Sequence, residues 1–203
     1  MTTEVIDSHG SFIVRGPRYS VLQCRGPVSH RQQLARRSGC RAYVEQHLNA
    51  AGSVSPNYST AIVGPGCERS RAMAREYTRL CAAEFRIRDG GVLVGHRGFG
   101  NVANAGCPHF LAEPGFVSNP EFAGIARTGE GIDAMARCLA QAIRTHIPGG
   151  LVGLSVGHKH REKPDPGAPV YVPPGAPRDG YLWEADIADA IVTAATELLV
   201  SIP

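Results

Sequence analysis

The sequence predicts a single α/β domain: a mainly parallel, twisted sheet with helices on both faces. Three observations predict it. Strand-like apolar runs alternate with helical patterns along the whole chain. The 203 residues are 43% hydrophobic and 19% charged, enough to enclose one sizeable core. No internal repeat divides the chain, and its one biased stretch, Lys159 to Gly180, rich in Pro and Gly, is too short to link two domains.

The elements follow in order. Ser11 to Val14 and Tyr19 to Cys24 read as short strands parted by Gly16-Pro17 turn chemistry. Ser29 to Arg37 reads as a helix capped by Ser29, with Leu34 and Ala35 in its apolar stripe. Ala42 to Leu48 and Thr60 to Val63 are buried-strand candidates. Glu68 to Phe85 carries Met73, Ala74, Tyr77, Leu80, Cys81 and Ala82 at helical spacing, with arginines opposite. Gly90 to Val94 is a strand, and a Gly/Asn-rich loop runs from Gly95 to Gly106. His109 to Ala112 is a strand that delivers Glu113 into a Pro114-Gly115 turn. Gly131 to Ile147 is an amphipathic helix closed by Pro148-Gly149-Gly150. Leu151 to Val156 is a strand, Lys159 to Gly180 a loop, and Tyr181 to Val200 the final helix.

Composition narrows the function. A formal net charge of +3, with scattered arginines, suits a solvated surface or an anionic wall and is too weak for a nucleic-acid binder. No run is long enough to cross a bilayer, and no apolar leader follows Met1. The expectation is therefore synthesis in the cytoplasm, with any action at the cell wall following release or export by another route. The six cysteines form no C-x-x-C pair, which argues against a cysteine zinc site and for buried thiols.

Four residues with metal-site chemistry sit at segment ends: His47, Glu113 and His158 after strands, and Glu184 in the first turn of a helix. In α/β sheets such strand ends face the functional crevice. Two imidazoles and one carboxylate make a zinc set that leaves a position open, with a second carboxylate as base. Each has a plainer role: a hydrogen-bonded histidine, a turn cap beside Asn49, a loop acid, a carboxylate on a helix dipole. His160 competes with His158. Asp7-Ser8-His9-Gly10 is a rival motif that lacks a following acid-led helix, and the Gly95 to Gly106 loop lacks the helix start of a phosphate cradle. His96 and His109 are lesser candidates for contact with substrate or ligands.

Three stretches together resemble the zinc-dependent N-acetylmuramoyl-L-alanine amidases of the amidase-3 type. Leu111, Glu113, Gly115, Phe116, Ser118 and Asn119 match L-x-E-x-G-F-x-S-N, and Glu45 to Ala50 matches S-x-H-x-N-A with glutamate for serine. Val21 to Arg25, then Arg31 and Ala35, resemble the strand ending in arginine and the R-x-x-x-A helix. The family's opening segment, D-x-G-H-G-G, D-P-G-A and a helix-leading glutamate, is found late instead: Gly157-His158, Asp165 to Ala168, and Glu184. The chain thus resembles a circular permutant, joined at Pro148-Gly149-Gly150, with the new termini between the family's first helix and second strand. Departures are Lys159-His160 in place of two glycines, a longer stretch to Asp165, and Ser155 in place of the motif's aspartate. The resemblance implies Zn²⁺ held by His158, Glu184 and His47, with Glu113 taking a proton from the attacking water and returning it to the leaving amine. It implies peptidoglycan as substrate, cut between N-acetylmuramic acid and L-alanine, with no protein partner evident. The alternatives are a related zinc hydrolase acting on an N-acyl amino acid or peptide, and a non-catalytic cell-wall-binding module.

Overall fold

A computed structural model describes residues 3–160, 165–174 and 182–203. One eight-stranded sheet organises the chain. Its strands are β1 (Thr3–Val5), β2 (Phe12–Arg15), β3 (Tyr19–Cys24), β4 (Ala42–Gln46), β5 (Tyr58–Val63), β6 (Arg88–Val94), β7 (His109–Glu113) and β8 (Gly150–Val156). The helices are α1 (Val28–Arg37), α2 (Glu68–Phe85), α3 (Pro120–Ala126), α4 (Gly129–His146) and α5 (Glu184–Val200). Across the sheet the order is β1-β2-β3-β8-β4-β7-β5-β6.

The middle of this sheet is parallel. β8 pairs in parallel with β3 on one side and β4 on the other, and β4 pairs in parallel with β7. These strands are buried almost throughout, so they read as largely apolar runs rather than as a regular alternation. The β1-β2-β3 meander is antiparallel, as is the β5–β7 pair. The late strand β8 therefore sits at the centre of the sheet, between strands from the first quarter of the chain.

α2, α4 and α5 cover one face; α1 and the 95–106 loop, which contains one 3-10 turn at Phe99–Asn101, cover the other. On the first face Val44, Phe110 and Leu154 meet Tyr77, Leu139 and Ile191 in the larger core. On the second, Leu22, Tyr43 and Leu111 pack with Ala35, Val102 and Ala105. Among the described residues, no helix is long and apolar enough to cross a membrane. All six cysteines are free thiols, and Cys24, Cys40, Cys81 and Cys138 are buried.

Several expected boundaries move. α1 starts at Val28, with Pro27 at its N-cap, so Ser29 lies inside the helix and gives no side-chain cap. α4 starts two residues earlier than expected, because the Thr128 hydroxyl accepts from Gly131 N. α5 starts at Glu184; the expected start at Tyr181 lies outside the described residues. The first strand and α3 were not expected. β1 is three exposed residues with no apolar pattern. α3 is announced by Asn119-Pro120: the Asn119 side chain accepts from Glu121 N and Phe122 N, and proline stands at the first helical position.

Candidate metal centre

β4 ends at Gln46 and β8 at Val156, side by side in parallel register, so the chain just beyond both strands enters the same crevice. Along β4 side chains alternate faces, which puts Glu45 and His47 together on the side of Tyr43. His47 N is tied to Ala112 O at 2.9 Å and Gly157 N to Gln46 O at 2.8 Å, so both strand exits are pinned.

Three of the four expected residues converge. One ligand atom from each of His47, His158 and Glu184 lies within 4.8 Å of the other two. His47 Nδ1 is 3.1 Å and His158 Nε2 3.3 Å from Glu184 Oε1. The rings stand edge to face with centroids 5.0 Å apart. Each ring uses its other nitrogen on a second carboxylate: His47 Nε2 on Glu45 Oε1 at 2.8 Å, and His158 Nδ1 on Asp165. That pattern leaves Nδ1 of His47 and Nε2 of His158 turned to the common point.

Glu184 owes its position to the Asp165 to Ala168 turn. Ala168 N donates to Glu184 Oε2 at 3.1 Å, Glu184 N to Ala168 O at 2.9 Å, and Ala185 N to Pro166 O at 3.1 Å. Leu48 N also donates to Glu184 Oε1 at 3.2 Å. Two glycines leave room for the cluster. A Cβ on Gly157 would lie 2.3 Å from the His47 ring, and one on Gly167 would lie 2.7 Å from Glu184 Oε2 and 3.0 Å from His158 Cδ2.

The electrostatics describe a site rich in acid. Burial alone would drive the proton off His47, but the hydrogen bonds to Glu184 and Glu45 outweigh it and raise its pKa to about 9. His158 is raised too, first by its bond to Glu184. Burial opposes charge on Glu184, yet the bonds from His158 and His47 hold its pKa well below the usual carboxylate range. The same arrangement that favours protons on the two rings would favour a cation between them. Two nitrogens and a carboxylate oxygen, cradled between glycines, are a donor set that fits Zn²⁺ with a position to spare.

Glu113, the fourth expected residue, ends β7 and stays out of this cluster. Its Oε2 accepts from Asn49 Nδ2 at 2.7 Å. Asn49 lies two residues beyond His47 and is itself strapped to the β7 exit through Gly115 O and Val117 N. Burial is the main cause that raises Glu113 to about 7, with the His47 charge opposing and the Glu184 charge reinforcing it. A carboxyl at this pKa, beside a cation site and outside its donor set, suits a general base. The following motif residues are structural. Gly115 lies against Phe122, where a Cβ would come within 2.4 Å of the ring. Ser118 Oγ and Asn119 Nδ2 hold the 51–54 loop through Ala51 N and Val54 O.

The other candidates lie elsewhere. His160 turns away to Asp189 on α5, at 3.3 Å, while its carbonyl accepts from Gly26 N. It has φ +59°, a left-handed value, where the amidase pattern has glycine. The Asp7 side chain accepts from His9 N, Ser11 N and His30 Nε2, and the His9 ring packs on His30, so this segment forms a turn beside α1. His109 lies at the start of β7, the opposite end from Glu113, with its Nδ1 on Cys107 O. His96 is exposed in the 95–106 loop and adds nothing to the cluster. The sequence reading undervalued Glu45 and Arg31. The available signal was one carboxylate, Glu45, inside an otherwise uncharged strand run, which needs a buried cation nearby.

No family model and no curated protein matches this chain by sequence. Its fold is that of solved amidases. An N-acetylmuramoyl-L-alanine amidase from Clostridium difficile 630 superposes with a TM-score of 0.54 at 20% identity, over 60% of this chain and 65% of that one. The catalytic domain of CwlV, an N-acetylmuramoyl-L-alanine amidase from Bacillus (Paenibacillus) polymyxa var. colistinus, gives 0.53 at 21% identity, over 60% and 65%. The CwlD amidase from Clostridioides difficile, solved in complex with the GerS lipoprotein, gives 0.54 at 15% identity, over 60% and 61%. This chain thus spans less than two thirds of each of these neighbours, and what it shares with them is the α/β architecture.

Proposed function

We propose that this chain is a zinc-dependent hydrolase that cleaves the amide between N-acetylmuramic acid and L-alanine in peptidoglycan. The observation that carries the reading is the meeting of His47, His158 and Glu184 at one point, with Glu113 at the adjoining strand end. The amidase-like fold supports it. Zn²⁺ on these three residues would supply a Lewis acid that polarises the amide carbonyl and makes water acidic. Glu113 takes the proton of the attacking water and gives it to the leaving nitrogen of L-alanine. Asn49 steadies the Glu113 carboxylate through one oxygen and leaves the other for that transfer.

We further infer that the chain is a circular permutant of the amidase order. Two placements support this. β8, which leads into the opening-segment motif, lies inside the sheet between two strands of the N-terminal half. The end of α5 abuts the turn before β3: a Cβ on Gly16 would lie 2.2 Å from Val200 O. Thr3 pairs with Val14 on the neighbouring strand, so both ends of the chain come to this one end of the sheet.

Metal analysis of purified protein and release of free amino groups from purified cell walls test the enzyme. About one zinc per chain, and muramic acid freed from L-alanine, are the expected results. Binding to walls without amide cleavage would leave a cell-wall-binding module; cleavage confined to small N-acyl amino acids would leave the related hydrolase. For the permutation, a reordered chain with residues 150–203 ahead of 1–149 through a flexible linker should fold and bind zinc. Failure of that chain to fold would refute it.

A further inference from the structure

The residue behind His47 has the geometry of a working part. Glu45 is fully buried, as is Arg31. Its Oε1 accepts from His47 Nε2 at 2.8 Å and from Asn101 Nδ2 at 2.8 Å; its Oε2 lies 3.3 Å from Arg31 Nη1 and 3.4 Å from Ser155 Oγ. Arg31 in turn donates to Ser155 Oγ and, at 3.0 Å, to Val156 O. The network therefore ties α1, β4, β8 and the 95–106 loop to one ring nitrogen.

A buried carboxylate is costly, and Arg31 offsets that cost in place. Tyr43, Glu45 and His47 share one side of β4, and the network locks the carboxylate so that its acceptor meets Nε2 and not Nδ1. Resting on the zinc reading above, we propose that Glu45 is the positioning residue of the centre. It holds His47 with the proton on Nε2, so that Nδ1 alone is presented to the metal, and it makes that nitrogen a stronger donor. Arg31 holds the Glu45 carboxylate in place. His158 has a counterpart in Asp165, but that side chain is half exposed, whereas Glu45 is sealed from water. The sealed partner therefore carries more of the effect.

The test is zinc affinity, measured by competition with a coloured chelator, together with imidazole ¹⁵N NMR of histidine-labelled protein loaded with zinc. In the unsubstituted protein, His47 should show a protonated Nε2 and a metal-bound Nδ1. Glu45→Gln keeps an acceptor and loses the charge, and should weaken zinc binding about 10-fold. Glu45→Ala loses both, and should weaken it by about 10- to 100-fold. Glu45→Asp, which keeps the charge on a shorter arm, should recover part of the loss. Metal bound through Nε2, measured on the unsubstituted protein and so independent of how any variant folds, would overturn the proposal. So would unchanged affinity in folded E45Q. In both cases zinc is bound and the metal reading stands. An unsubstituted protein that binds no zinc refutes the metal reading and this inference together.

Discussion

Gly157→Ala puts the steric argument for the site under direct load. The added methyl would lie 2.3 Å from His47 Cε1, 2.4 Å from Nδ1 and 2.5 Å from Nε2. Ordinary carbon contact needs about 3.5 Å, so ring and backbone must part by about 1 Å. The ring cannot simply slide. Glu45 holds one nitrogen, Glu184 the other, and His47 N is fixed to Ala112 O. The expected stability loss is about 1–3 kcal/mol, the usual cost of overpacking a filled site. The expected fall in zinc affinity is larger, at least 100-fold, because a 1 Å displacement is several times the tolerance of a metal–nitrogen bond. Backbone strain is not a confounder, since Gly157 does not use the left-handed conformation. Gly124→Ala is the control: it lies in α3 with nothing within 4 Å of the added carbon, and should be neutral or stabilising by up to about 1 kcal/mol. Urea unfolding and chelator competition measure both quantities. If G157A binds zinc as tightly as the parent at unchanged stability, His47 is not where the argument needs it.

Glu113→Gln should keep fold and zinc while losing about 10²–10⁴ in the rate of wall hydrolysis, and Glu184→Gln should lose zinc first; an active, zinc-loaded E113Q would remove the base. The parent rate should climb with pH through a step near pH 7, as the buried Glu113 carboxyl ionises, because Zn²⁺ would take the place of the His47 charge that already opposes the rise set by burial. A step well above pH 8 would contradict this. For Asp7, burial works against the charge, but hydrogen bonds led by His30 bring its pKa down to about 2 from an ordinary 3.8. Its stabilisation is therefore present above pH 4 and lost as pH falls towards 2. Asp7→Asn should cost about 2 kcal/mol at pH 7 and little at pH 2, as read by thermal melts across pH. Ending the chain at Pro148 removes the strand between β3 and β4, and should abolish cooperative unfolding altogether; a truncated chain that still melts cooperatively would show β8 to be dispensable.

Much of this was legible in the sequence because the central strands are short apolar runs with polar exits, and exits are where the chemistry stands. His47, Glu113 and His158 each follow such a run, and Glu184 leads a helix whose apolar spacing is plain. What was hidden has physical reasons. α3 is seven residues, too brief to show a period, and betrays itself only by its cap and proline. β1 has no buried face at all. The Glu45–Arg31 pair joins residues on a strand and a helix, and no local pattern says that a buried acid has found its cation. Neither does spacing show which nitrogen of a histidine faces the cluster; that depends on partners 7 and 137 residues away, Asp165 for His158 and Glu184 for His47.

The central position of β8 also sets the order in which a newly made chain can fold. β3 and β4 leave the ribosome more than a hundred residues before the strand that must lie between them. Until it arrives, the middle of the sheet is two open edges, able to pair wrongly with each other or with another chain. Glu184 comes later still, so the metal cluster is among the last things a growing polypeptide can assemble. On the proposed function the catalytic residues would meet only as synthesis ends, and the last strand pairs across a long loop, the kind of non-local contact that forms slowly.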